Sequence, residues 1–251
     1  MRETLYGRQA VRESLRAGRR QPYRLLLAEG IVESPVIEEI VELAEERHLP
    51  IAHLSRREME SFVGPVKTQG VALETSGYPY ADVDDMLDVA RKRREAPLLL
   101  LLDLLQDVHN VGSLLRTAEA AGVHGVILQG RRAAGITPAV VNTSSGAVEH
   151  LLVAQVTNLS RTIERLKSDE VWIVGLEDFY GAKPYTEVDL TVPLGVVVGS
   201  EGNGLRRLVR ERCDLLLVLP MRGQINSLNA AVAGSIALYE VLRQRGWSAT
   251  K

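Results

Sequence analysis

Three short stretches, far apart in the chain, each set Asn, Arg, Glu or Ser among glycines at the end of an apolar run. Residues 103–117 carry Asp107, Asn110, Gly112 and Arg116; residues 197–204 carry Gly199, Glu201, Gly202 and Gly204; residues 219–229 carry Met221, Asn226, Ser227, Leu228 and Asn229. An apolar strand that runs into glycine and polar residues and then into a helix is how open α/β sheets build ligand sites at strand carboxyl ends. Three such turns predict one site assembled from several strands.

Each stretch also has a plainer reading. Asp107 or Asn110 can cap the helix that follows, leaving Arg116 solvated. A spacing of six puts Asn110 and Arg116 on different helix faces unless Asn110 is itself the cap. Against solvation, Arg116 sits among leucines and alanines, where a guanidinium fork needs an anionic partner such as phosphate. Residues 199–204 lack the Lys-Ser/Thr ending of a P-loop and the glycine spacing of a dinucleotide fingerprint. There Glu201 either caps the next helix or meets an amine or hydroxyl of a ligand. Asn226 or Ser227 can cap the final helix, which leaves Asn229 inside it, a position where asparagine has poor propensity. The run Ala230 to Ala237 is rich in small residues and permits close backbone approach.

Composition narrows the class. Of 251 residues, 45% are hydrophobic and 25% charged, with net charge −2, which is ordinary for a globular protein. No apolar stretch has transmembrane length, and the first residues lack a signal-peptide core, so a cytoplasmic location is expected. The single Cys213 precedes the apolar run 215–219 and reads as a core thiol rather than a nucleophile. His48, His53, His109, His124 and His150 have no metal-ligand spacing. Charge is uneven: seven arginines (2, 8, 12, 16, 19, 20 and 24) face only Glu3 and Glu13 between residues 2 and 24. Arg8, Arg12 and Arg16 recur every four residues and continue into Arg19 and Arg20. With few offsetting acids nearby, this stripe reads either as solvated surface or as a phosphate-binding face for RNA.

The elements that must hold these residues fall into two sets. The first reads as a helix over 7–18 stopped by Gly18, a strand at 23–27, a helix from Ser34-Pro35 to about Arg47, and a short strand from Pro50. A capping-box helix at Ser55–Glu58 and a strand at 70–74 follow. Turn formers at 75–81 suggest a linker, and a charged helix spans about 82–95. Beyond Pro97, apolar strands at 98–102, 125–128, 171–174, 194–198 and 215–219 alternate with helices near 111–121, 159–166 and 205–210, and a last helix covers about 227–243. Continuous rather than alternating apolar strands predict a parallel sheet covered on both faces.

Over residues 98–245 the three stretches resemble, in order and spacing, the three signature motifs of the SpoU (TrmH) class of SPOUT RNA ribose methyltransferases. The opening from Leu5 to Leu15, the strand start at Thr68, Gln69 and Gly70, and Tyr78, Pro79 and Tyr80 are similar to the members that modify guanosine in large-subunit (23S) rRNA. The resemblance implies methyl transfer from S-adenosylmethionine to a ribose 2′-hydroxyl, without a metal. It implies an α/β fold: an L30e-like RNA-binding domain over 1–76, a linker and helix over 77–96, and a SPOUT domain over 97–251. The last would have a mostly parallel sheet and a deep trefoil knot, a rare exception to the rule against threaded chains. Cofactor positions implied are Gly199, Leu219, Met221, Ser227 and Leu228. Those implied for catalysis are Asn110, Arg116, Glu201, Ser227 and Asn229, with rRNA as partner and a homodimer formed through the knotted domain. No signature position is lost, which counts against a decayed, purely RNA-binding assembly factor. A tRNA substrate stays open, and a nicotinamide-dependent oxidoreductase lacks its glycine fingerprint.

Overall fold

The structure, a computed structural model, describes residues 2–246; Met1 and 247–251, the outermost ends of the expected domains, lie outside the described residues. Two compact units result: one holds the chain up to Pro79 together with Ile136–His150, the other Tyr80–Gly135 together with the chain from Leu151 onward.

The first unit contains β1 (Arg2–Tyr6), α1 (Arg8–Ala17), β2 (Pro22–Ala28), α2 (Pro35–Glu46), β3 (Ile51–Leu54), α3 (Arg56–Val63) and β4 (Val71–Ser76). Its sheet runs β1-β4-β2-β3, antiparallel except for the β2–β3 pair. Gly18 ends α1 in the left-handed conformation (φ 61°), which costs glycine no Cβ clash. Ser55 and Glu58 form the expected capping box at α3. Ser34 precedes Pro35 as expected, yet its side chain does not cap α2; the hydroxyl accepts from Arg8 Nη1 at 3.2 Å instead.

The inserted segment departs from the contiguous division read from the sequence. It carries α6 (Pro138–Thr143) and a 3-10 turn, Ala147–His150. Asn142 Nδ2 donates to Tyr6 O at 3.0 Å, His150 Nε2 lies 2.8 Å from Glu13, and Arg20 Nε reaches both oxygens of Glu149 at 3.0 Å. The supposed linker is part of the same packing: Tyr78 is buried and its hydroxyl donates to Val148 O at 3.2 Å.

The second unit is built on seven parallel strands. In chain order it holds α4 (Val83–Arg93), β5 (Leu98–Asp103), α5 (Val108–Ala120), β6 (Gly125–Gln129), β7 (Val153–Val156), α7 (Leu159–Ser168), β8 (Trp172–Leu176), β9 (Lys183–Pro184), β10 (Leu194–Gly199), α8 (Arg207–Arg212), β11 (Leu215–Val218) and α9 (Ala230–Gln244). The strand order is β7-β6-β5-β10-β8-β11-β9, and every pair is parallel. Leu99 and Leu101 join Met86, Ile163 and Val209 in one core, so α4, α7 and α8 cover one face. The other face takes α5 and α9. At Gly234 a Cβ would lie 2.5 Å from Leu114 and 3.0 Å from Val198, so the glycine is what lets α9 settle onto α5 and β10. The Thr117 and Ser235 hydroxyls meet at 2.9 Å across the same contact. Among the described residues no helix is long and apolar enough to cross a membrane.

Two polar anchors close this unit. Arg245 donates to the carbonyls of Ala96, Pro97 and Val192 at 2.5, 3.0 and 2.7 Å, tying the end of α9 to the start of β5. His124, nearly buried, accepts the Leu98 N–H on Nδ1 at 3.0 Å and places Nε2 2.9 Å from Glu95. Nδ1 must therefore be unprotonated, and burial pushes the imidazole below its usual range despite the neighbouring Glu95 carboxylate. The folded protein then binds fewer protons than the unfolded chain, so the stability held at neutral pH is lost as pH falls through the unfolded value of about 6.5. His124→Asn, which keeps an acceptor near Nδ1 but cannot titrate, should flatten the fall in urea midpoint between pH 7.5 and 5.5. An unchanged slope would exclude His124 as its source.

Candidate functional site

The site begins where β10 ends. Gly199 pairs in register with Asp103 at the end of β5. A Cβ on Gly199 would lie 2.3 Å from Gly204 C, 2.4 Å from its oxygen and 2.7 Å from Leu205 N. Only glycine lets the chain fold back so closely. The return is sealed by Ser200 N–H donating to Gly204 O at 3.2 Å and Gly204 N–H to Ser200 O at 3.0 Å. Gly202 and Gly204 both have positive φ, 80° and 62°, a region other residues enter with strain. At Gly204 a Cβ would also meet Glu177 at 2.7 Å. The result is a tight loop that presents Glu201 at its tip.

The far end of the loop is tied to the sheet. Asp103 is fully buried and accepts from Arg206 N–H at 2.9 Å and from Arg206 Nε at 2.8 Å. Sequence reasoning missed this lock. Its signal was an aspartate ending an otherwise apolar strand, which needs a charged partner once buried.

Three of the expected catalytic residues meet in one hydrogen-bonded relay. Asp107, not Asn110, caps α5, its carboxylate accepting from Asn110 N–H at 2.8 Å. Asn110 therefore lies inside the first turn with its side chain available. Asn229, not Ser227 or Asn226, caps α9: its Oδ1 accepts from Ala231 and Val232 N–H at 2.9 and 3.3 Å. That explains the asparagine which looked misplaced inside a helix. With Oδ1 so committed, the Asn229 amide donates to Asn110 Oδ1 at 2.8 Å, and the Asn110 amide in turn donates to Glu201. One helix cap thus fixes both amide orientations and aims a carboxylate.

A cleft of about 280 Å³ opens beside this relay at the carboxyl ends of β8, β10 and β11. All five expected cofactor positions line it: Gly199, Leu219, Met221, Ser227 and Leu228. Leu176 and Leu217 add apolar wall. The stretch between β11 and α9 has no regular secondary structure, which leaves backbone N–H and C=O groups for a ligand. Three carboxylates, Glu177, Asp178 and Glu201, line the cleft together with no lysine or arginine. Glu177 and Asp178 were not foreseen; both follow directly on β8. Arg210 partly offsets Glu177 at 3.4 Å, so Asp178 and Glu201 are the carboxylates that favour a cationic ligand with an apolar portion.

Arg116 stands apart from the cleft lining. It is exposed on α5, about 120° around the helix and about 9 Å along it from Asn110. The expectation that apolar neighbours bury it fails because those neighbours face the sheet and α9 while Arg116 faces out. Cys213 packs at the edge of the core, and burial pushes its thiol up to about 12, which leaves no nucleophilic thiolate at ordinary pH.

The arginine stripe in the first unit needs correction. Arg12 pairs with Glu13 at 2.8 Å, and Arg16 with Glu39 at 2.5 Å and Glu13 at 3.2 Å. Arg20 is buried and held by Glu149 and by Glu3 at 2.7 Å, so it is a structural ion pair and cannot contact RNA. Glu39 and Glu149 are remote in sequence, which is why the stripe looked unopposed. Arg8 and Arg19 instead donate to neutral oxygens, Arg8 to Gln69 O and Arg19 to the Tyr78 hydroxyl at 2.9 Å.

Comparison with known proteins agrees with this layout. Residues 97–239 match the SpoU rRNA Methylase family, and residues 4–81 match the family described as RNA 2′-O ribose methyltransferase substrate binding. YacO of Bacillus subtilis (strain 168), named for the TrmH family of tRNA/rRNA methyltransferases, is 42% identical over 239 residues, covering 95% of this chain and 94% of its own. A Staphylococcus saprophyticus protein named for the same family is 40% identical over 98% of both chains. The crystal structure of the SpoU methyltransferase AviRb from Streptomyces viridochromogenes, solved with AdoMet, superposes with a TM-score of 0.80 at 26% identity, covering 97% of this chain and 90% of that one.

Proposed function

The chain belongs to the SpoU rRNA methylase family, and from that premise we propose that it methylates the 2′-hydroxyl of a guanosine ribose in large-subunit (23S) rRNA. Family membership gives the coarser activity, an S-adenosylmethionine-dependent RNA 2′-O-methyltransferase. The relay from Asn229 through Asn110 to Glu201, at the rim of the carboxylate-lined cleft, carries the assignment of the site.

The cleft fits the methyl donor chemically. S-Adenosylmethionine supplies a sulfonium methyl that is already electrophilic, and it carries an ammonium group beside an apolar-faced purine. Leu219 and Leu228 offer apolar wall, and Glu177, Asp178 and Glu201 offer anionic partners. Met221 and Ser227 complete the lining. Asp178→Asn should therefore weaken S-adenosylmethionine severalfold while affecting S-adenosylhomocysteine, which keeps the ammonium but has a neutral thioether in place of the sulfonium, less. Equal losses in calorimetry would remove the charge argument.

The ribose hydroxyl is a weak nucleophile, and no His or Cys lines the cleft to take its proton. Arginine side chains keep their proton in proteins, so Arg116 acts by holding the phosphate beside the acceptor ribose and stabilising developing alkoxide charge. Glu201 orders the acceptor side through Asn110, and Asn229 and Ser227 orient the hydroxyl. The first unit, through Arg8 and Arg19, holds RNA, and two copies associate through the methyltransferase unit, where α9 exposes Val232 and Tyr239.

Support for large-subunit rRNA comes from the first unit and from the similarity of its opening residues to enzymes of that substrate. The test is incubation with methyl-labelled S-adenosylmethionine and either naked large-subunit rRNA or bulk tRNA, then digestion to nucleosides. Label in 2′-O-methylguanosine from rRNA alone is expected. Label confined to tRNA, or to another nucleoside, would overturn the substrate.

A further inference from the structure

A second cleft opens along the same edge of the sheet, at the carboxyl ends of β6 and β7, with a volume of about 420 Å³. Its chemistry is opposite to that of the first. Arg206, Arg207, Ser160 and Thr157 line it, with Leu208 as an apolar edge, and no carboxylate does. It also takes in the start of α7, where Asn158 caps by accepting from Arg161 N–H at 3.2 Å. The first N–H groups of a helix lack intrahelical partners and carry the positive end of its dipole.

A helix start alone would mean little. The independent sign is Gln129, the last residue of β6, which is 5% exposed and lines this cleft. Its Oε1 accepts the Leu104 N–H at 3.2 Å, which fixes the amide and turns Nε2 toward the opening. No partner for Nε2 is present among the described residues. Nε2 is not sealed in the core but reaches the cleft, a donor held in place by the Leu104 contact and open to an acceptor. Arg206 is held rigidly by buried Asp103, which offsets its charge, and the 45% of its side chain that stays exposed forms a fixed polar wall. Arg207 is 70% exposed and, among the described residues, pairs only with Glu211 on the surface, a weak bond that a stronger acceptor can displace.

We infer that this cleft is a phosphodiester subsite that grips the RNA backbone beside the nucleotide being methylated. The inference rests on the RNA methyltransferase reading above. In the sheet order β6-β5-β10, the ends of β6 and β10 are two strand spacings apart, about 10 Å, so the subsite lies within reach of a nucleotide neighbouring the acceptor. A cationic donor in the acidic cleft and an anionic backbone in the basic one would sit side by side at one sheet edge.

The test uses the full chain, a large-subunit rRNA fragment, and binding measured against salt. Gln129→Glu keeps the acceptor for Leu104 N–H but sets a negative charge against the phosphate. It should weaken RNA at least about tenfold, with S-adenosylmethionine affinity and turnover at saturating RNA near wild type. Arg207→Ala should weaken RNA about three- to tenfold and lower the slope of log K against log salt by about one, which a purely structural role would not do. Unchanged RNA affinity and salt slope in both variants, alongside active wild-type protein, would overturn the subsite and leave the function standing. A wild-type protein that neither binds nor methylates RNA would overturn the function and the subsite with it. Inorganic phosphate is the last arm: tight binding without RNA, and no competition with RNA, would reassign the cleft to a free anion.

Discussion

Arg116→Ala should lower turnover by at least about a hundredfold, while S-adenosylmethionine binds as in wild type. The magnitude follows from what one preorganised donor to a developing oxyanion contributes, typically a hundred- to a thousandfold in turnover. The separation of effects follows from position: Arg116 is exposed on α5 and outside the cleft lining, so its removal leaves the donor's walls and the core intact. Arg116→Lys should recover only part of the loss, because an ammonium holds phosphate as a point charge and not as a fork. Single-turnover kinetics with saturating RNA measure the chemical step. Near-normal turnover in Arg116→Ala would remove the residue from the mechanism.

Gly199→Ala should abolish tight donor binding and most activity in a protein that still folds. The added methyl would have to displace backbone atoms at 2.3–2.7 Å, with no flexible side chain to give way. The cheapest relief is to open the Ser200–Gly204 bridge, which moves Glu201 off Asn110 and widens the cleft. Overpacking of this kind costs about 1–3 kcal/mol, too little to unfold a domain of this size but enough to lower Tm by several degrees. Calorimetry should show at least about a tenfold loss of S-adenosylmethionine affinity. Wild-type affinity in Gly199→Ala would mean that the tight loop does not shape the cleft.

Much of this was legible in the residues, and the gaps have identifiable causes. The parallel sheet was visible because its strands are unbroken apolar runs, as in Leu98 to Leu102. Strand β7 escaped because Val153–Val156 is four residues long and holds Gln155, and β9 because it is only two residues. The helix starts were misplaced where several capping residues stand close together. Asp107 and Asn110 compete at α5, and Asn226, Ser227 and Asn229 at α9, and local propensity cannot rank them. What decides is a tertiary bond, Asn229 to Asn110 across 119 residues. The same limit explains the arginine stripe, since Glu39 and Glu149 neutralise it from other elements, and the placement of 136–150, whose contacts with the first unit leave no trace in local composition. The glycines of 199–204 were recognisable as a turn, but not the reason Gly199 must be one.

If this cleft directs methyl transfer to a ribose hydroxyl, the product RNA must resist alkali at the modified site. RNA methylated with labelled S-adenosylmethionine would be hydrolysed with base, which cleaves only after a free 2′-hydroxyl. Label is expected in alkali-resistant dinucleotides with wild-type protein and should be lost in Arg116→Ala and Gly199→Ala. Label in alkali-labile mononucleotides, or undiminished label in both variants, would contradict that role for the cleft.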